Sequence, residues 1–256
     1  MLNPIFLMND ILTIVLTHQA EPSVGRMLDY WLREVPTTDL WLAYGGGRVR
    51  FDSISFPNKS FIQNGNLRTK DHQREKQSYS PIFKAIAKAI SSQPYDFIWF
   101  MEYDHIPLTA AAPQLFREDL ERQGADVLGL HLNRIDRTIS PHYLYHLSDI
   151  NFLTFWQKHS VRRDTTTILS MFGSGSFWKR EAFDAVAAIP EETPVYLEIF
   201  FPTLAHHLGF RVREATEQNR FVTARPVKNR TIQMARGAKA WTFHPHKTMW
   251  DEPQLS

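Results

Sequence analysis

The chain contains no cysteine among its 256 residues. It therefore has no disulfide framework, no thiolate nucleophile and no cysteine-based zinc site. A chain without cysteine fits a reducing compartment. Its stability must come from an apolar core, and the 43% of hydrophobic residues is enough for a sizeable one.

An excess of charge of one sign is also lacking. Lysine and arginine number 29 against 27 aspartate and glutamate residues, a net charge of +2. No basic tract of the kind that binds nucleic acid is present, so we expect no nucleic-acid partner. Residues 68–76 mix both signs and are interpreted as a solvated loop, although a local phosphate-binding role stays open.

Long hydrophobic runs are missing as well. No stretch approaches the roughly 18 apolar residues that cross a bilayer, so we expect no transmembrane segment. Residues 1–16 are apolar but are interrupted by Asn3, Pro4, Asn9 and Asp10, and they lack a basic leading region, which argues against a signal peptide. A cytoplasmic protein is the expectation.

Apolar runs and helical stripes alternate along the chain. Residues 11–16 are rich in Ile and Val and predict a buried strand. Residues 23–34 predict a helix with Ser23 as its N-cap. Residues 40–44 predict a second strand, which Gly45, Gly46 and Gly47 end. This strand–helix–strand order is typical of an α/β fold.

The same alternation continues to residue 213. Residues 48–79 are polar and are predicted to be a long loop, followed by a helix that starts at Ser80 and Pro81. We predict one domain over residues 1–256, with a core at about 10–215, a C-terminal tail at 216–256, and a mostly parallel sheet flanked by helices. The remaining predicted elements are strands at 97–101, 127–130 and 210–213, helices at 113–123, 180–188 and 194–208, and a Gly- and Ser-rich turn at 172–178.

Two carboxylates follow the most apolar predicted strand. Residues 97–101 are Phe-Ile-Trp-Phe-Met, and Glu102, Tyr103 and Asp104 come directly after them. Ligands of open α/β sheets bind at the carboxyl ends of the strands. Two acids two residues apart can face one hard cation, Mn²⁺ or Mg²⁺, that also contacts a diphosphate. The alternative is an ordinary solvated turn between strand and loop.

The stretch from Tyr95 to Asp104 resembles the glycosyltransferases of the GT-A fold, with a likeness to family 2. In that family an apolar strand ends in a short acidic motif, usually Asp-x-Asp, which binds a divalent metal and the diphosphate of a nucleotide-sugar donor. This chain has Glu-Tyr-Asp and departs at the first acid. The resemblance implies a GT-A-like domain, Asp104 as a metal ligand, and Glu102 as a ligand that also contacts the donor.

A second part of the resemblance starts at Gly173. The turn Gly173-Ser174-Gly175, followed by a helix that begins with Arg180 and Glu181, is where the family lines the donor-sugar site; glycine permits close approach of a ligand to the backbone. The alternative is a simple tight turn. By the same resemblance, Thr17 and His18 at the end of the first strand, and Asp52 after the second, are candidates for contacts with the nucleotide.

The resemblance also implies a base and a third metal ligand. Glu198, at the start of a predicted helix, matches the acceptor base of inverting members. The alternatives are an acid placed there by the helix dipole, or Glu191 and Glu192 as the base. His244, ahead of His246, matches the C-terminal histidine that many members supply to the metal. Otherwise these histidines belong to a surface tail.

Two further histidines, His206 and His207, are adjacent on a predicted helix. Their side chains point about 100° apart, so a structural role is favoured over a shared metal.

Taken together, the resemblance covers residues 10–215 and implies an enzyme. This hexosyltransferase-like enzyme would use Mn²⁺ or Mg²⁺ to move a sugar from a nucleotide-diphosphate donor to a hydroxyl of a glycan, lipid or small-molecule acceptor, with inversion if Glu198 is the base. Two alternatives stay open. One is another metal-dependent phosphate enzyme, a nucleotidyltransferase or a phosphohydrolase; the other is a non-catalytic carbohydrate-binding protein.

Overall fold

The computed structural model describes residues 10–63, 72–147, 152, 154–189, 195–217 and 219–246. Within them the chain forms eleven strands and eight α-helices. The strands are β1 Ile11–Thr17, β2 Asp39–Tyr44, β3 Lys59–Phe61, β4 Phe97–Glu102, β5 Ile106–Pro107, β6 Val127–Gly129, β7 Asn133–Arg134, β8 Leu169–Ser170, β9 Gly175–Lys179, β10 Val212–Glu214 and β11 Thr242–Phe243. The helices are α1 Ser23–Glu34, α2 Arg48–Ser53, α3 His72–Ala89, α4 Ala112–Arg122, α5 Pro141–His146, α6 Arg180–Ala187, α7 Leu197–His207 and α8 Ile232–Gly237, with short 3₁₀ turns at Gln157–His159 and Asn219–Phe221.

Seven strands form one central sheet in the order β10-β6-β9-β4-β1-β2-β3. The pairs β1–β2, β1–β4, β2–β3 and β6–β10 are parallel, and only β9 runs antiparallel to its neighbours β4 and β6. The fold is therefore α/β, with a mostly parallel sheet flanked by helices, as predicted.

The centre of the sheet is buried on both faces. All seven side chains of β1 are buried, and its Ile14 lies opposite Phe100 of β4. A strand covered on both sides needs apolar residues at every position, which explains the continuous runs in the sequence. The buried hydroxyls of Thr13 and Thr17 are the exceptions, and that of Thr13 forms a hydrogen bond of 2.9 Å with Thr38.

One face of the sheet carries α3, α6 and α7. The ring of Phe83 on α3 packs against Phe183 and Phe201, with centroid distances of 4.3 and 3.7 Å. Phe100 of β4 points to this same face. Each fully buried side chain of this size contributes about 1.5–3 kcal/mol, so this aromatic group stabilises the helical layer strongly.

The opposite face carries α1 and α4. Trp99, the neighbour of Phe100 on β4, points here because successive side chains of a strand alternate. Its ring meets Trp31 of α1 at 5.4 Å and Phe116 of α4 at 5.7 Å. Helices on both faces therefore pack against β4, whose carboxyl end carries the acidic motif.

The prediction of a long loop over residues 48–79 was partly wrong. Residues 48–53 form α2, 59–61 form β3, and α3 begins at His72 rather than at Ser80, so that Pro81 lies inside the helix. Proline removes one helical hydrogen bond. The side chains of Ser78, Tyr79 and Ser80 are nevertheless buried, so tertiary packing holds the turn before Pro81 in the helix.

Two local assignments also differ from the prediction. Residues 172–178 were predicted to be a turn, but residues 175–179 form β9, with Phe177 and Trp178 buried on opposite faces. The N-cap of α1 is Pro22 rather than Ser23, and no side chain caps it. The Glu21 carboxylate instead accepts a hydrogen bond of 3.0 Å from the backbone of Gly25.

The C-terminal segment returns to the sheet edge. Strand β11 pairs antiparallel with β5, so that Thr242 lies opposite Pro107 and Phe243 opposite Ile106. Thr231 caps α8 by accepting a hydrogen bond from the Met234 backbone. These contacts bring residues far along the sequence beside the end of β4. No helix in the described ranges has the length and apolar content to cross a membrane.

Candidate active site

Several strand ends meet at one edge of the sheet. Thr17 and His18 follow β1, Glu102 ends β4, and His131 follows β6 by two residues. Because β9 is antiparallel, its start lies at the same edge, with Gly175 opposite Met101. This arrangement places the candidate donor-contact residues next to the acidic motif.

The carboxylates of Glu102 and Asp104 and the imidazole of His244 converge there. One ligand atom from each of the three lies within 4.8 Å of the others. Asp104 is 3% exposed and His244 is 6% exposed. The distance from His244 Nε2 to Asp104 Oδ1 is 3.4 Å. The structure therefore brings together the three residues predicted to be metal ligands.

The hydrogen bonds of His244 determine which nitrogen faces the carboxylates. Its Nδ1 lies 2.7 Å from the backbone carbonyl oxygen of Thr223, which only accepts, so Nδ1 carries the proton. Nε2 therefore faces Asp104, and a ring held from behind by a carbonyl in this way is the arrangement of a metal-ligating histidine. The His246 backbone N–H also donates to the Asp104 carbonyl at 2.8 Å.

The chemistry of these donors fits a divalent cation. Two carboxylates and one imidazole provide oxygen and nitrogen ligands, a mixture that suits Mn²⁺ better than Mg²⁺, which prefers oxygen alone. Burying the Asp104 carboxylate beside the half-buried Glu102 is costly without a positive partner. Glu102, Asp104 and His244 are therefore the residues that could hold a metal ion.

His105, the residue after Asp104, connects the cluster to two neighbouring segments. It is fully buried, its Nδ1 lies 3.0 Å from Ser174 Oγ, and its Nε2 lies 2.9 Å from Thr242 Oγ1, a residue 137 positions away. Burial, and secondly the nearby His244, hold the pKa of His105 well below its usual value. A neutral His105 thus joins the end of β4 to the starts of β9 and β11.

We predict that acid destabilises the protein partly through His105. Folded protein keeps this ring neutral while the unfolded chain binds a proton below about pH 6.5, so stability is lost as the pH falls, by up to about 1.4 kcal/mol per pH unit from this group. His206, with a pKa lowered to about 4 by burial, and His207 act in the same direction. Urea unfolding between pH 7 and 5 in EDTA, with His105→Gln for comparison, measures the effect. An equal pH slope in both proteins would contradict it.

Gly175 is required for His105 to fit. A Cβ at this position would lie 2.6 Å from His105 Nδ1 and 3.0 Å from Met101 Sδ. Gly173 is similarly close to α7, since its Cβ would lie 3.1 Å from Glu198 Oε1. These glycines allow the backbone of the turn to pass close to the side chains of the site.

We predict that Gly175→Ala costs about 1–3 kcal/mol of unfolding free energy, because the added methyl group overpacks a rigid buried ring. Urea denaturation measures the loss, and Mn²⁺ titration measures the displacement of the site. Gly47→Ala is the matched control: nothing lies within 4 Å of its would-be Cβ, and we expect a change below about 1 kcal/mol. Equal changes in both variants would exclude the packing explanation.

Glu198 lies in the first turn of α7, against the turn that starts at Gly173. Its backbone carbonyl accepts a hydrogen bond of 2.9 Å from Met171, which anchors the start of the helix to the strand region before the turn. The residue as a whole is half-buried, and its Oε2 atom is buried. Its position beside Gly173 puts it at the same sheet edge as the cluster.

Of the candidate nucleotide contacts, Thr17 and His18 lie at the sheet edge that carries the cluster, whereas Asp52 lies on α2. Thr17 is buried, and its Oγ1 accepts a hydrogen bond of 3.1 Å from Gln19. The His18 ring meets that of Tyr103 edge-on at 5.2 Å, so it touches the acidic motif. Asp52 instead lies exposed on α2, where its carboxylate pairs with Arg48 at 3.0 Å.

Two residues of the site were missed by the sequence analysis. His131 adopts a positive φ of 51°, and its Nε2 donates to the Val222 carbonyl at 2.7 Å. Phe172 packs edge-on against both His131 and His244, at 5.7 and 4.9 Å. The only sequence signal for either residue was that His131 follows a predicted strand.

Other histidines and acids lie elsewhere. His207 bonds Ser160 Oγ at 2.9 Å and the Thr167 carbonyl at 2.8 Å, which is a structural arrangement. Glu191 and Glu192, the alternative bases, and residues 68–71 of the charged loop lie outside the described residues.

Comparisons with known proteins yield only distant similarity. No protein-family profile matches the chain, and no curated protein sequence matches it. Among solved structures, the chain is similar to the bifunctional IspDF from Campylobacter jejuni (10% identity, 82% of this chain and 50% of that chain, TM-score 0.43). It is also similar to a CMP:2-keto-3-deoxy-manno-octonic acid synthetase complexed with CTP (10% identity, 80% of this chain and 88% of that chain, TM-score 0.44). A third similar structure is mannosyltransferase PcManGT from Pyrobaculum calidifontis in complex with GDP-Man and Mn²⁺ (13% identity, 90% of this chain and 61% of that chain, TM-score 0.45). The chain thus spans about half the length of the Campylobacter protein.

Proposed function

We propose that this protein is a metal-dependent glycosyltransferase that moves a sugar from a nucleotide-diphosphate donor to an acceptor hydroxyl. The observation that carries the proposal is the convergence of Glu102, Asp104 and His244 at the carboxyl end of the central strand β4. Their position matches the ligand edge of an open α/β sheet. The burial of His244, and the bond that holds its Nδ1 on the Thr223 carbonyl, support a metal rather than a solvated turn.

In this proposal the three cluster residues hold Mn²⁺. The bound ion would neutralise the charge that develops on the leaving nucleoside diphosphate. Thr17 and His18 contact the nucleotide from the β1 side. Residues 173–175 line the donor sugar, where glycine backbone permits the closest approach.

Glu198 is proposed as the acceptor base. A base must lie within hydrogen-bond reach of the hydroxyl proton that it removes. The carboxylate of Glu198 lies against Gly173, next to the proposed donor-sugar position, so an acceptor between the two could deliver its proton there. With Glu198 as the base, attack on the face opposite the leaving diphosphate would invert the anomeric carbon.

The test is donor binding followed by product identification. We expect the melting temperature to rise with one nucleotide sugar, and to rise more when Mn²⁺ is present, because a ligand of the folded state stabilises it by mass action. Turnover should then release a nucleoside diphosphate together with a glycosylated acceptor.

Other products would identify other functions. Release of pyrophosphate indicates a nucleotidyltransferase, and release of inorganic phosphate indicates a phosphohydrolase; both would use the same metal cluster. Sugar binding without metal dependence or donor turnover indicates a carbohydrate-binding protein. The absence of any metal-dependent shift at millimolar nucleotide sugar would overturn the proposal.

A further inference from the structure

A cavity of about 370 Å³ opens beside the metal cluster. His244 and His246 form part of its wall, and His244 also contacts Asp104, so one side chain separates the cavity from the proposed metal position. The rest of the wall comes from residues 221–233 and from the end of β11. The cavity therefore belongs to the C-terminal segment of the chain.

The segment that lines the cavity is bonded to the β6 side of the sheet. In the sheet, β1 flanks β4 on one side, whereas β9 and then β6 follow on the other. His131, just beyond β6, donates to the Val222 carbonyl, which places the cavity segment over the β6 side. Thr17 and His18 lie at the end of β1. Phe172 packs on His244 of the cavity wall and directly precedes Gly173, against which Glu198 lies, so the cavity adjoins the proposed base.

The floor of the cavity is apolar, and one side chain in its wall is permanently charged. Phe221, Ile232, Phe243 and Pro245 provide flat or aliphatic surface, and Arg230 provides the charge. The guanidinium Nη1 of Arg230 donates to the Arg220 carbonyl, which holds the group in place. Arginine has five N–H donors, so the others remain available for an anion.

The surrounding segment is strongly cationic. Residues 219–246 contain six of the 29 lysines and arginines and none of the 27 acids, although the whole chain is nearly balanced. Arg236 pairs with Glu34 at 2.8 Å, but no ion pair in the described part of the chain involves Arg225, Lys228 or Arg230. The acids next to the cavity, Glu102 and Asp104, lie behind His244 and would be neutralised by the proposed metal, so these cations favour a negative ligand.

We propose that this cavity is the acceptor site and that it selects an anionic acceptor. The inference rests on the proposed function. The ligand has a ring-sized body that packs on the apolar floor and a phosphate or carboxylate that Arg230 binds. A volume near 370 Å³ lies at the small end of ligand pockets, which fits one ring and its charged group rather than a long oligosaccharide.

Phenyl phosphate is a suitable probe, because it combines a ring with a phosphate group. In methyl-labelled protein we expect it to shift the signals of Ile232 and Val227 at millimolar concentration. Benzyl alcohol, which lacks the anion, should bind at least about 10-fold more weakly, since a hydrogen bond to a charged group contributes about 1.5–3 kcal/mol.

The decisive comparison is between two arginine variants. Arg230→Gln should weaken phenyl phosphate binding about 10- to 100-fold, and Arg230→Lys should weaken it less, since the charge is kept. Arg225→Gln is the matched control: it removes the same charge from the same exposed segment but does not line the cavity, and we expect a change below about 3-fold. Equal affinities for wild type and Arg230→Gln, or shifts absent from Ile232 and Val227, would overturn the proposal.

Two further measurements make the outcome interpretable. Binding of Mn²⁺ and nucleotide sugars by the wild type tests the proposed function separately. If the cavity binds phenyl phosphate but the protein binds no donor, the anion site is supported and its role as an acceptor site is excluded. Vesicles of phosphatidylcholine with and without phosphatidylglycerol identify the source of the anion. Binding that depends on Arg230 and phosphatidylglycerol indicates a lipid headgroup, whereas binding of phenyl phosphate alone indicates a soluble acceptor.

Discussion

Replacing Asp104 by Asn is expected to lower the affinity for Mn²⁺ by about 100-fold or more and to abolish donor turnover. Asparagine keeps the shape of the side chain but removes the charge that faces His244 Nε2 at 3.4 Å. Loss of a residue that merely orients a metal ligand already costs about 10- to 100-fold in affinity, and loss of a ligand itself should cost at least as much. Calorimetric titration with Mn²⁺ and a nucleoside diphosphate release assay measure the two effects.

The control for this variant is Asp184→Asn. Asp184 is a half-buried acid on α6, away from the cluster, and it pairs with Arg180 at 2.7 Å. It should leave Mn²⁺ binding and turnover unchanged. Both variants should still unfold cooperatively on heating. Wild-type turnover in Asp104→Asn would exclude the metal assignment and, with it, the proposed function.

Replacing Glu198 by Gln is expected to reduce turnover by about 100- to 10,000-fold, the usual contribution of a general base. Glutamine keeps the length of the side chain beside Gly173 but cannot accept the proton of the acceptor hydroxyl. Because Glu198 is not part of the metal cluster, the affinities for Mn²⁺ and for the donor should stay within about 3-fold of the wild type. Single-turnover kinetics at saturating donor, together with donor titration, separate these effects.

Glu181→Gln distinguishes catalysis from the helix dipole. Glu181 is the first-turn acid of α6, as Glu198 is of α7, so each replacement loses a similar dipole interaction of about 0.3–1 kcal/mol. We expect similar small changes in melting temperature for both variants and a loss of turnover only for Glu198→Gln. Full activity in Glu198→Gln would remove the acceptor base and the argument for inversion.

The parts of the fold that could be predicted are those determined by local composition. β1 and β4 were predicted nearly to the residue, because a strand buried on both faces must be apolar throughout, whatever covers it. The acidic motif was equally visible, since Glu102 and Asp104 interrupt the apolar run. Their location at a ligand-binding edge followed from the rule for open α/β sheets.

The parts that could not be predicted depend on packing between distant segments. Residues 175–179 look like a glycine- and serine-rich turn, but they become β9 because a gap between β4 and β6 provides hydrogen-bond partners on both sides. Likewise α3 continues through Pro81 because buried neighbours hold its first turns, which outweighs the local cost of proline.

The amino-acid sequence by itself determined an α/β protein whose central strand ends in two carboxylates. It suggested His244 as a third ligand only through a resemblance. The tertiary structure decided that His244 meets Asp104, since this contact depends on the pairing of β11 with β5 and on the bond from His244 to the Thr223 carbonyl. It also decided that a cationic cavity opens beside that histidine. No local periodicity encodes such contacts, because they form between residues that only the folded chain brings together.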